Sequence, residues 1–74
     1  MTDRLPTIKP REMMRVLEKL GFSLKRQRGS HAFYYHPNGR RTVVPIHSRD
    51  LSRVTVHRIL KDIGLGEEAF RQYL

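Results

Sequence analysis

Two tight turns divide the middle of this chain. Arg28-Gly29-Ser30 and His36-Pro37-Asn38-Gly39 each carry a glycine free to take a left-handed conformation, and Pro37 presets the first dihedral of the second turn. They separate three short segments. In the first, Phe22 and Leu24 alternate with Ser23 and Lys25, which reads as a strand continuing to Gln27. The second strand covers residues 31–36. The third covers residues 41–46 and is β-branched at Thr42, Val43, Val44 and Ile46. Segments joined by such turns form a three-stranded antiparallel meander. Pro45 has no N–H to give to a ladder, so the third strand belongs at an edge.

Helices flank this meander. Residues 1–9 read as a lead-in, and Pro10 then suits a first helical turn, with Glu12 complementing the dipole. Met13, Val16, Leu17 and Leu20 fall at i, i+3, i+4 and i+7 and make one buried face; Gly21 stops the helix. After a polar connection over residues 48–51, Ser52 caps a second helix whose apolar stripe is Val56, Ile59, Leu60 and Ile63, ended by Gly64. Residues 67–74 suit a short terminal helix with Phe70, Tyr73 and Leu74 inward. The fold class is therefore α+β in the order α-β-β-β-α, with two helices on one face of the sheet.

Strand alternation puts His31, Phe33 and Tyr35 on one face and Ala32, Tyr34 and His36 on the other. Both sets contain apolar residues. In the third strand Thr42, Val44 and Ile46 form the more apolar set, so Ala32, Tyr34, Val44 and Ile46 are expected inward. That leaves His31 on the open face.

At 74 residues the chain is expected to be a single domain over residues 1–74, near the size at which one core is barely sufficient. It has no cysteine, so neither disulfides nor a zinc ribbon can staple it. No apolar run reaches the roughly 20 residues that span a bilayer, and no signal-peptide core opens the chain. A cytoplasmic protein without a membrane partner is expected. The net charge is +8, and no acid occurs from Lys19 to Arg49. Such an excess draws polyanions, and nucleic acid is the commonest such partner for a small basic domain.

The candidate chemistry lies in residues 28–47, where three of the four histidines fall. His31 and His36 are five apart, which sends them to opposite faces of a regular strand, and no carboxylate accompanies them. No metal and no cofactor are expected. His31, by contrast, follows a turn, and an imidazole is the side chain best suited to moving a proton near neutral pH. RNA supplies its own nucleophile in the 2′-OH, so proton transfer and cationic stabilisation suffice for its cleavage. Lys25, Arg26, Arg28, Arg40 and Arg41 are near in sequence to provide the charge. Phe33 and Tyr35 suit base stacking as well as sheet packing. His47 is the second candidate for the same site, whereas His36 reads as a turn residue and His57 as a solvated one. Read from chemistry alone, His31 fits a turn-capping or ordinary surface residue better than an acid–base group. A non-catalytic RNA-binding module and an interaction subunit for an acidic partner fit the same charge.

The order of several short motifs adds to this reading. Leu17-Glu18-Lys19-Leu20-Gly21-Phe22, Arg28-Gly29-Ser30-His31, His36-Pro37-Asn38-Gly39-Arg40, Val44-Pro45-Ile46-His47 and Ile59-Leu60-Lys61-Asp62-Ile63-Gly64-Leu65, in that order, resemble the HicA toxin family over residues 5–74. The chain departs from the common pattern at Ser48-Arg49-Asp50 and Val54-Thr55-Val56. The resemblance implies a fold like a double-stranded-RNA-binding domain and a metal-independent mRNA interferase of a type II toxin–antitoxin system. It implies His31 as the active histidine, with Gly29 and Ser30 as the turn that positions it, mRNA as substrate and a HicB-like antitoxin as partner.

Overall fold

The computed structural model describes residues 6–47 and 49–74; the first five lead-in residues and Ser48 of the connection lie outside the described residues. Helix α1 (Pro10–Lys19) begins with proline at its first turn, and the Glu12 carboxylate accepts the Lys9 backbone N–H at 2.9 Å. It ends in a Schellman motif. Phe22 N–H donates to the Leu17 carbonyl at 2.9 Å and Gly21 N–H to that of Glu18 at 3.1 Å. The motif needs a left-handed residue, and Gly21 supplies it at φ +96°. Helix α2 (Arg53–Ile63) ends in the same way at Gly64. It starts at Ser52, whose side chain accepts the Thr55 N–H at 3.1 Å. The short α3 (Glu67–Arg71) is pinned back to α2 by His57 and Glu67, 2.7 Å apart.

Between the helices lie β1 (Ser23–Arg28), β2 (His31–Tyr35) and β3 (Arg41–Pro45), an antiparallel sheet in the order β1-β2-β3. The meander and the edge position of Pro45 are as expected. Ala32, Tyr34 and Val44 are fully buried and join Met13, Val16 and Leu17 of α1 and Val56, Ile59, Leu60 and Ile63 of α2 in one core. Both helices thus cover one sheet face. Phe70 of α3 closes the core.

Several residues differ from expectation. Leu20 is the cap of α1 and packs against the core only half-buried. Ile46 lies past the end of β3 and packs against the core half-buried. Leu24 is 45 % exposed, because the helices lie over β2 and β3 and leave all of β1 uncovered. Leu74, read as inward, is 48 % exposed. The lead-in and the connection prove partly structural. Ile8 pairs antiparallel with Leu51, whose N–H reaches the Ile8 carbonyl at 2.7 Å, and both side chains are buried. Among the described residues no helix is long and apolar enough to cross a membrane.

One polar atom in the core stands out. The Tyr34 hydroxyl is buried and has no hydrogen-bond partner among the described residues. Burial pushes the phenol above its ordinary value, and the Glu18 carboxylate adds to the shift. A phenol with a raised folded pKa contributes stability that is fully present below its unfolded value near 10 and lost as pH rises through the folded value. Because an unpaired buried hydroxyl costs about 1–3 kcal/mol, Tyr34→Phe is expected to leave stability unchanged or raise it by about 1 kcal/mol. It should also lessen the loss of stability above about pH 10. Urea melts of both proteins at pH 7 and pH 10.5 (a value chosen just above the ordinary phenol range of about 10) check this. A variant less stable than wild type at neutral pH would mean that the hydroxyl is satisfied.

Candidate nucleic-acid interface

His31 stands at the head of β2, directly after the turn that joins it to β1. Arg28 pairs with His31 across that turn, leaving Gly29 and Ser30 as a two-residue loop. Gly29 has φ +56°, while no residue other than glycine has a positive φ among those described. That is the pattern of a type II′ turn, whose twist matches that of the flanking strands. Two further bonds brace the loop. Ile46 N–H donates to the Ser30 carbonyl, and the Gln27 amide donates to the Gly29 carbonyl at 3.3 Å. Across β2, His31 is opposite Arg28 on one side and Pro45 on the other. Its side chain is exposed.

Which arginines share its face is decided by a bulge. Leu24 is opposite Tyr34, but Arg26 is opposite Phe33, so Lys25 is an extra residue in β1. The bulge changes the phase of the strand. Leu24 stays on the face of Tyr34, while Arg26 and Arg28 move to the face of Phe33 and His31. With regular alternation all three would share one face. The open face therefore carries Arg26, Arg28, His31, Phe33, Tyr35 and Arg41. The Arg26 guanidinium lies 5.0 Å over the Phe33 ring. Phe33 is thus roofed by a cation and half-buried, and Tyr35, 37 % exposed, is the freer ring.

At the β3 edge, reaching round from this face to the helix side, is a cavity of about 340 Å3, lined by Arg26, Phe33, Tyr35, Arg41 and Val43 and, on the helix side, by Thr42 and by Asp62 from α2. Asp62 Oδ2 accepts from the buried Thr42 hydroxyl at 2.9 Å and from Arg58 Nη1 at 3.2 Å. Arg58 also donates from Nη2 to the Val43 carbonyl at 2.8 Å. The outer edge of β3 is thereby capped by a side chain. Sequence reasoning did not select Asp62. The i, i+4 spacing of Arg58 and Asp62 is legible as a helix-surface pair, but its position beside the sheet edge is not.

The remaining candidates are dispersed. Lys25, on the bulge, is exposed. Arg40 packs its guanidinium against Gly64 at the end of α2, where a cation complements the helix dipole. His47 lines a second cavity with Lys9, Pro10, Arg11, Met14 and Ile46. His36 is bonded at both nitrogens. Asn38 N–H donates to Nδ1 at 3.0 Å, which leaves Nε2 to donate to the Leu20 carbonyl at 3.1 Å. His36 also packs on Phe22, with ring centroids 4.9 Å apart, so it ties the second turn to the end of α1. Among the described residues no group of three or more His, Cys, Asp or Glu converges as a metal-ligand set. What the open face offers is an imidazole beside a guanidinium, further cations and an aromatic ring.

The family model described as HicA toxin of bacterial toxin-antitoxin matches residues 10–65, from the start of α1 to just past the end of α2. No curated protein matches the chain.

The turn before His31 can be tested directly. Nothing lies within 4 Å of where a Cβ at Gly29 would stand, so the cost of a side chain there is backbone strain alone. Gly29→Ala is expected to destabilise by about 1–2 kcal/mol, and Ser30→Ala, at the neighbouring turn position where φ is not positive, by clearly less. Urea midpoints of the two variants measure the difference; equal, negligible effects would mean that the turn relaxes out of this conformation.

Proposed function

Because this chain belongs to the HicA family of bacterial toxins, we propose that it is an endoribonuclease that cuts mRNA without a metal ion, with His31 as its acid–base group. The observation that carries the proposal is the pairing of an exposed His31 with Arg28 on a sheet face whose other charged strand residues, Arg26 and Arg41, are also cations. His31 takes the proton from a ribose 2′-OH, and the freed oxygen attacks the adjacent phosphorus. The new P–O2′ bond forms as the P–O5′ bond breaks, leaving a 2′,3′-cyclic phosphate and a 5′-OH, and a proton passes to the departing oxygen. Arg28 stabilises the charge that builds on the phosphoryl oxygens. Cross-strand partners have Cβ atoms about 4.5–5.5 Å apart, which lets both side chains reach one phosphodiester.

The other cations of the face hold the strand. Arg26 and Arg41 contact flanking phosphates, and Tyr35 offers a surface for a base. Lys25, Arg40 and His47 belong to the wider basic surface. Such a toxin acts in the cytoplasm, where mRNA is translated. Membership of a toxin–antitoxin family implies an antitoxin partner, and a HicB-like protein that covers the basic face would neutralise it.

If phosphate contacts hold the RNA, the logarithm of affinity should fall with that of salt concentration by a slope of about −0.7 per contact. Arg26→Ala and Arg41→Ala should each flatten that slope by about one contact, measured by fluorescence anisotropy with a short single-stranded RNA. A slope near zero would leave the basic face without an RNA role.

Cleavage itself is tested with purified protein and RNA in EDTA. Activity should persist, depend on pH near neutrality, and yield the cyclic phosphate. His31→Ala should lose about 10²–10⁴-fold in rate while keeping its melting temperature and most of its affinity. Binding without cleavage by the wild type would instead favour a non-catalytic RNA-binding module. Cleavage by folded His31→Ala at the wild-type rate would remove His31 from the mechanism.

A further inference from the structure

We propose that the cavity beside Tyr35 is a base-reading subsite, in which Asp62 selects a nucleobase bearing an amino group and disfavours uracil. The proposal rests on the RNA reading of the open face and adds to it a specificity. A carboxylate is out of place on a surface that attracts phosphates, yet this one is built in. Thr42 and Arg58 both hold Oδ2, and Arg58 is itself anchored to the Val43 carbonyl. Both of those bonds fall on Oδ2, and Asp62 lines the wall of the cavity. A fixed acceptor beside an exposed aromatic ring is what an unstacked base meets when its edge is read by hydrogen bonds.

The dimensions agree. A volume of about 340 Å3 is at the lower end for small-molecule sites and is open enough to admit one planar base. Phe33 and Tyr35 follow His31 by two and four residues on the same strand, which sets the cavity roughly 7–13 Å from it. The base read there therefore belongs to a nucleotide next to the cleaved linkage and not to the linkage itself. Arg26, already stacked on Phe33, and Tyr35 supply the two surfaces between which the base lies. Adenine, cytosine and guanine each turn an N–H2 toward such an acceptor. Uracil has two carbonyl oxygens flanking a single N–H, and the carboxylate repels them.

The test uses a pool of single-stranded RNA with randomised sequence. The ends left by the wild type are sequenced, and binding of the same pool to His31→Ala is sequenced in parallel. Uracil should be depleted about tenfold at one fixed position near the cut, the discrimination expected from one hydrogen bond to a charged group. Asp62→Asn keeps an oxygen for Thr42 and Arg58 but turns an amide N–H2 into the cavity, so uracil should return to parity or above at that position. The ratio is read within each protein, so overall rate does not enter. Uracil as frequent as other bases at every position, in cleavage and in binding, would overturn the proposal and leave cleavage standing. So would a depletion that a folded Asp62→Asn retains. If no protein cuts, the cleavage reading fails and the binding profile alone decides. If Asp62→Asn does not fold, Tyr35→Leu replaces it: loss of the uracil depletion supports the subsite, and an unchanged profile overturns it.

Discussion

The helices have enough apolar surface to cover one side of the sheet and no more. Met13, Val16 and Leu17 of α1 and Val56, Ile59, Leu60 and Ile63 of α2 pack on Ala32, Tyr34 and Val44, and Phe70 fills what remains. Everything else about the molecule follows from that one-sided burial. The opposite face is free to be cationic, since its side chains lose little solvation there. The strand farthest from the helices, β1, stays exposed along its whole length. Such a sheet has two edges to manage. Arg58 and Pro45 occupy β3, the first by bonding the Val43 carbonyl and the second by having no N–H to offer. At β1 the bulge and the charges of Lys25, Arg26 and Arg28 disfavour strand addition.

The bulge matters more than its size suggests. One extra residue changes which face every later side chain of β1 occupies. It keeps Leu24 with the core face and gives Arg26 and Arg28 to the face of His31. Without it, cations would lie beside the core and the imidazole would lack its neighbour. Local geometry on either side is equally determined. The Gly29-Ser30 loop is tied to β1 and to Ile46 just past β3, while His36 holds the second turn through Nδ1 and ties it to the end of α1 through Nε2. Two histidines five residues apart are thus put to different uses by their hydrogen bonds, one held and one left exposed.

Acidic side chains complete the electrostatics by their placement. Glu12 serves the start of α1, Asp50 lies 3.5 Å from Lys9, and Glu67 holds His57. Among the described carboxylates, Asp62 is the one that lines the cavity at the β3 edge.

Much of this was legible in the chain itself. The i, i+3, i+4, i+7 stripes, the capping residues Pro10, Ser52, Gly21 and Gly64, and the two turns determine α-β-β-β-α, because each is a local preference expressed over a few residues. The inward set of Ala32, Tyr34 and Val44 was legible too, since alternation is strict where one face is buried. The family motifs singled out His31 in the same way, by contiguous residues. Tertiary structure alone decided the rest. The bulge at Lys25 depends on the register with β2, which no local pattern in β1 encodes. Ile8 and Leu51 are distant in sequence and become core only by pairing with each other. Asp62 and Thr42 meet because α2 crosses beside β3. Interactions between residues far apart in sequence are chosen by how the layers pack, and that choice assembled the open face.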